Sequence, residues 1–212
     1  VRVAIVVGVL GSFIGSFLNV IVYRVPLNRS IVSPPSACTG CATPIKMYDN
    51  IPVLSWLLLR GKCRHCKSAI SIRYPLVELG TGLFFGIVVW KFLPNALLLM
   101  FAFLFLAALS VVLGLIDLDT HTLPDRFVLP GYVAGAILLG ATAVASGNYS
   151  ALLRAITGMV VLWVIYLIIA LASSGGICNW DVNVAGVLGL CLGYLSLGAL
   201  VTGASAVFAL VG

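Results

Sequence analysis

Ala96-Leu-Leu-Leu-Met-Phe-Ala-Phe-Leu-Phe-Leu-Ala-Ala-Leu-Ser-Val-Val-Leu-Gly-Leu-Ile116 carries no charge, and the residue that follows it is Asp117. An α-helix needs about 20 predominantly apolar residues to cross the ~30 Å hydrocarbon layer of a bilayer, which is the length of this run. Outward from it the same spacing recurs. No Asp, Glu, Lys or Arg lies between Arg126 and Arg154, between Arg154 and Asp181, or after Asp181. Of the 212 residues, 62% are hydrophobic and 8% charged, where soluble domains run near a quarter charged, so the solvent for most of this chain is lipid.

The charges that remain set a topology. Arg24, Arg29, Lys46, Arg60, Lys62, Arg64, Lys67 and Arg73 all fall in one polar stretch behind the first apolar segment, Val3 to Val22. Loops rich in Lys and Arg stay in the cytoplasm, so the net charge of +6 is read as orientation and not as a nucleic-acid surface. The first segment is longer than a signal-peptide core, lacks a clear small-residue cleavage site and is followed by further apolar runs, so it is read as a retained span. Residues 1–22 are then the first transmembrane helix, 23–75 a cytoplasmic module and 76–212 a helical bundle. Within the bundle, spans are expected near Leu76–Trp90, Ala96–Ile116, Phe127–Ala145 and Leu152–Ala172. The turns between them fall at Lys91–Asn95, Asp117–Arg126 and Ser146–Tyr149, with an inner loop from Ser173 to Asp181. From Val184 to Gly212 the chain is apolar again, with a turn near Gly193, Tyr194 and Ser196. The expectation is an all-α polytopic membrane protein of about six or seven transmembrane helices.

The polar module contains Cys38-Thr-Gly-Cys41 and Cys63-Arg-His-Cys66, two Cys-x-x-Cys pairs separated by 21 residues. Two thiolates on a tight turn grip one metal ion, and two such turns complete a tetrahedron, so the spacing points to a Zn²⁺ site in a small zinc-ribbon-like module. Disulfides are the rival reading, disfavoured in a reducing cytoplasm. His65 lies inside the second pair and reads as a solvated neighbour of the metal. Cys178 and Cys191 sit in or near spans and read as small apolar residues.

Acidic residues at the edges of apolar spans are costly and therefore paired or functional. Asp117 and Asp181 end long uncharged runs on the same side of the inferred topology, which makes a facing pair possible. Asp119 reads as solvated at the interface, Asp125 as a helix N-terminal residue before the fourth span, and His121 as a surface residue.

Several stretches together resemble the bacterial type IV prepilin peptidases, a family of GxGD-type intramembrane aspartyl proteases. They are Gly11-Ser-Phe-Ile-Gly-Ser-Phe-Leu-Asn-Val-Ile-Val-Tyr-Arg24, the two cysteine pairs, Asp49-Asn-Ile-Pro-Val-Leu-Ser-Trp56, Arg73-Tyr-Pro-Leu-Val-Glu78 and Asp117-Leu-Asp-Thr-His-Thr-Leu-Pro-Asp125. The resemblance implies an enzyme of the bacterial inner membrane, active site and zinc module facing the cytoplasm, that cuts the basic leader from type IV prepilin or pseudopilin precursors. It implies Asp117 and Asp181 as the catalytic pair. It also implies N-methylation of the new amino terminus with S-adenosylmethionine, for which Asn19, Arg24 and Glu78 are the candidate region. Where the family has Gly-x-Gly-Asp-x-Lys, this chain has Cys178-Asn-Trp180-Asp181-Val-Asn183. That departure keeps a catalytically impaired relative with a binding or assembly role in view. A proton or ion transporter would account for the aspartates but not for the cysteines.

Overall fold

The computed structural model describes residues 1–93, 96–120, 125–172 and 179–211. The chain folds as α1 (Arg2–Arg24), a short α2 (Leu54–Leu58), α3 (Arg73–Phe92), α4 (Leu97–Thr120), α5 (Asp125–Ser146), α6 (Tyr149–Ala172), α7 (Asn179–Leu195) and α8 (Leu197–Val211). It divides into two compact units, Val1–Pro94 with Ala107–His121, and Asn95–Leu106 with Thr122–Gly212.

In the first unit α1 and α3 run antiparallel with their backbones nearly touching. A Cβ on Gly8 would stand 3.1 Å from the Gly82 carbonyl oxygen, one on Gly11 2.8 Å from the Phe85 Cβ, and one on Gly15 2.9 Å from the Glu78 Cα. Between lipid-embedded helices there is no hydrophobic driving force, and small residues that permit close van der Waals packing supply the attraction. The opposite face of α1 presents Ile5, Val9, Phe13 and Phe17, all exposed on the protein and suited to lipid. The same contact line carries Glu78, buried at 9% exposure, to the mouth of the module.

The second unit repeats the device. A Cβ on Gly158 of α6 would lie 2.6 Å from the Gly189 oxygen of α7, and one on Gly193 2.6 Å from the Arg154 oxygen. Around this seam Leu162, Tyr166, Val182, Ala185 and Leu200 form a buried core.

Two expectations about the fold are corrected. Among the described residues, five helices are long and apolar enough to cross a membrane, not six or seven: Arg2–Arg24, Arg73–Phe92, Leu97–Thr120, Phe127–Ser146 and Tyr149–Ala172. The expected turn is present at Ser196, between α7 of 17 residues and α8 of 15, but each helix falls short of the ~20 residues a span requires.

The module, moreover, is not zinc-ribbon-like. No β-strand occurs among the described residues, only the isolated bridges Ala37↔Pro44 and Lys62↔Ala69. Each bridge closes one cysteine turn, with Cys38 N donating to Thr43 O at 3.0 Å and Cys63 N to Ser68 O at 2.9 Å. Ala42 and Lys67, at φ 55° and 59°, then turn the chain back before a ladder extends. Pro34, Pro35 and Pro44 lack the donors a strand needs, and the intervening chain is taken up by a 3₁₀ turn at Met47–Asp49 and by α2.

The helix ends also differ from expectation. The third span continues past Ile116 to Thr120, so Asp117 and Asp119 lie in the last turn of α4 and not in a loop. Asp181 lies in the first turn of α7.

Candidate functional site

The four cysteines of the module converge: the sulfurs of Cys38, Cys41, Cys63 and Cys66 all lie within 4.8 Å of one another. All four are free thiols, so the disulfide reading does not describe them. Zn–S bonds of ~2.3 Å at the tetrahedral angle imply S···S edges of about 3.8 Å, and the Cys38–Cys66 pair stands at 3.8 Å. The surroundings favour thiolates at two corners. Hydrogen bonds from the Ser68 hydroxyl, then from the Gly40 and Cys41 amides, bring the Cys38 thiol down to about 6. The Ser68 hydroxyl and amide likewise lower Cys66. At Cys63 the amide bonds from Cys66 and His65 act in the same direction but are outweighed by burial and by the neighbouring Cys38 and Cys66, which push that thiol up. Anionic sulfurs this close repel unless a cation lies among them, so the donor set fits a soft divalent metal. His65 is not one of the converging ligands.

Behind the cysteines, a cavity of about 440 Å³ opens between the end of α1, the module and the start of α3. Asn19, Arg24 and Glu78, which the sequence reading grouped together, all line it, with Tyr23, Trp56 and Tyr74 as aromatic walls. Their polar atoms are largely engaged with backbone. Asn19 Nδ2 donates to Tyr74 O at 3.2 Å, and the Arg24 guanidinium donates to Ser30 O and Pro34 O at 3.0 and 2.7 Å. Val53 N donates to Glu78 Oε2 at 2.7 Å. Val53 sits at φ 61°, so Glu78 holds a bend that the Asp49-Asn-Ile-Pro-Val sequence makes against its own preference. Asp49 is fixed in turn by a two-pronged contact from Arg64, whose hydrogen bonds hold its carboxyl below the usual range.

Of the aspartates, Asp117 is half-buried on the last turn of α4, in the first unit. Asp181 belongs to the second unit. Its side chain lies outside the described residues, as do His121, Cys178 and the side chains of Asp125 and Trp180. Asp119 is not merely solvated, as the sequence suggested. Arg73 grips it with both terminal nitrogens, Nη1 to Oδ1 at 2.5 Å and Nη2 to Oδ2 at 2.8 Å. Sequence reading also missed Tyr132, whose hydroxyl donates to the carbonyl of Asn183 at 2.7 Å, two residues beyond Asp181. Neither partner is legible from spacing, since they are 51 positions apart on different helices.

A polytopic helical membrane protein with a four-thiolate cluster beside a polar cavity is thus defined, and the comparisons with known proteins narrow the class. Residues 9–92 match the bacterial peptidase A24 N-terminal domain, and residues 101–212 match the type IV leader peptidase family. The prepilin leader peptidase/N-methyltransferase of Neisseria gonorrhoeae is 36% identical over 91% of this chain and 75% of its own length. The protein of that description from Pseudomonas putida is 34% identical over 96% of this chain and 78% of its own. One from Myxococcus xanthus is 47% identical over a shorter region, 64% of this chain and 40% of its own. The chain belongs to the type IV leader peptidase family. No solved structure matches it.

Proposed function

We propose that this protein is a membrane-embedded aspartic endopeptidase that removes the leader of type IV prepilin or pseudopilin precursors at the cytoplasmic face of the bacterial inner membrane. The observation that carries the reading is the likeness to prepilin leader peptidase/N-methyltransferases along 91% of the chain, through both matched regions. Asp117 and Asp181 act as the pair. Like charges brought together at one reacting centre repel, so in this reading the pair works with one proton between its two members. The ionised member takes a proton from water as that water attacks the scissile carbonyl carbon. The protonated member hydrogen-bonds the carbonyl oxygen, and collapse of the tetrahedral species breaks the C–N bond as the proton taken from water is given to the nitrogen, releasing the new amino terminus and the leader carboxylate. A precursor whose apolar helix lies in the bilayer and whose Lys/Arg leader stays outside it meets both requirements of such a site.

Cys38, Cys41, Cys63 and Cys66 hold Zn²⁺ as a structural ion that fixes the module. The cavity lined by Asn19, Arg24 and Glu78 is our candidate for N-methylation. S-adenosylmethionine, when bound, supplies an electrophilic methyl group. In this reading Asn19 and Glu78 shape one wall, and the aromatic side chains exclude water. Incubating the purified protein with a prepilin tests both halves. A shortened product reports the peptidase, and a methyl group on its new amino terminus in the presence of S-adenosylmethionine reports the transferase. An uncut precursor would favour a second reading, an impaired relative that binds or assembles pilins, which the replacement of the family's glycines and lysine by Cys178, Trp180 and Asn183 motivates.

A further inference from the structure

α4 ends in a way its own sequence does not support. Asp117 and Asp119 both fall in its last turn, which contains no basic residue. The C-terminal end of a helix carries the negative pole of the macrodipole, so carboxylates there are disfavoured and a cation is wanted. The cation comes from another element. Arg73 is the first residue of α3, and besides both oxygens of Asp119 it reaches the carbonyl of Leu115 at 3.4 Å. One planar fork therefore holds two points on consecutive turns of α4, and Ile116 between them is buried at 1% exposure. Asp117 sits inside that clamped segment.

The other side of Arg73 is tied to the cysteine module. Its backbone N donates to Ser71 Oγ at 3.2 Å. One residue earlier, Ile70 donates its N–H to Gly61 O at 2.7 Å and accepts the Trp56 indole at 3.0 Å. Ser68, two residues earlier again, accepts from the Cys63 amide. A short series of bonded residues thus links the second cysteine turn to the end of α4.

We propose that Arg73 is a positioning residue for the peptidase: by clamping Asp119 and the Leu115 carbonyl it fixes the last turn of α4, and with it the carboxylate of Asp117, to the cysteine module. Half-exposed ion pairs contribute little to stability, so the value of this one lies in geometry. Misplacing a reacting group by about 1 Å costs up to ~10²-fold in rate.

The proposal rests on the role given to Asp117 above, and its test separates the two. In prepilin cleavage, Arg73→Gln and Asp119→Asn should each lower kcat about tenfold or more while KM stays within about twofold and zinc per chain is unchanged. The double variant should be no worse than either single one. Exchanging the charges, Arg73→Asp with Asp119→Arg, should recover most of kcat, because each new charge then suits the helix pole on which it sits. Amide hydrogen exchange, which needs no activity, should run about fivefold faster across residues 115–120 in both single variants and return towards the parent rate in the exchanged pair. Single-variant kcat within twofold of parent, losses that multiply, a change confined to KM, or unaltered exchange at 115–120 would each overturn the clamp. Should Arg73→Gln fail to insert, Asp119→Asn and the exchanged pair decide the same question. A parent that leaves prepilin uncut sinks the proposed function, while the exchange rates still decide the clamp.

Discussion

The hydroxyl of Tyr132, on α5, donates to the backbone carbonyl of Asn183, on α7, and fills the space that a side chain at position 186 would occupy. Asn183 is held a second time, its Oδ1 accepting from the Trp163 indole of α6 at 3.4 Å. Two helices thus brace the first turns of α7, where Asp181 lies.

Tyr132→Phe should therefore lower stability by about 1 kcal/mol, the net worth of one hydrogen bond, with little change in packing. Gly186→Ala should cost more, roughly 1–3 kcal/mol, because its methyl group meets the Tyr132 hydroxyl and displaces it from Asn183. Unfolding followed in one detergent ranks the two. A Gly186→Ala protein as stable as the parent would show that α5 and α7 do not pack as described.

About one zinc ion should copurify with each chain, and Cys63→Ser should lose most of it. The polar module has too little core to fold unaided, and metal-binding free energy is folding free energy in such cases. Cys191→Ser is the control, since Cys191 is buried in α7 and not among the converging ligands. Elemental analysis of the three proteins settles it. A parent without zinc, or a Cys63→Ser variant that keeps it, removes the metal from the account.

Which parts of this architecture were legible in the sequence follows from what each signal encodes. Long uncharged runs report burial in lipid directly, so α1, α4 and α6 fall close to the expected positions. The polar and small residues Gly193, Tyr194 and Ser196 also mark the break at Ser196 between two short helices, but apolar length alone cannot say that neither half is long enough to span. Cys-x-x-Cys spacing encodes two metal-gripping turns and nothing about the path between them. That path is set by contacts such as Trp56 to Ile70 and Glu78 to Val53, which no local pattern announces. Asp119 looked solvated because its partner, Arg73, is 46 positions away.

Replacing Cys178 and Trp180 together by glycine should raise turnover on a prepilin above that of the parent. Glycine permits backbone angles and close approaches that other residues resist, and the related motif places glycines at both positions ahead of the aspartate. Equal or lower turnover in a correctly inserted double variant would show that this lineage has reshaped the site around the larger residues.

Asp117→Asn and Asp181→Asn should each reduce leader cleavage by roughly 10²–10⁴-fold or more while the protein still inserts, keeps its zinc and remains monodisperse in detergent. Asparagine preserves size and most hydrogen bonding but accepts no proton as a base, so loss of rate with retained folding isolates the acid–base step. Asp119→Asn should fall between these variants and the parent. It loosens the turn that carries Asp117 but leaves the reacting carboxylate in place. Asp125→Asn should cost least, since asparagine caps a helix start about as well as aspartate. Asn at both 117 and 181 should be no worse than either single change, because groups that share one proton act as a unit. Should the parent turn over too slowly to rank them, the series belongs in the background of glycine at 178 and 180. There the order Asp117 and Asp181, then Asp119, then Asp125 should persist. Near-parental cleavage by either Asp117→Asn or Asp181→Asn would remove that residue from the catalytic pair.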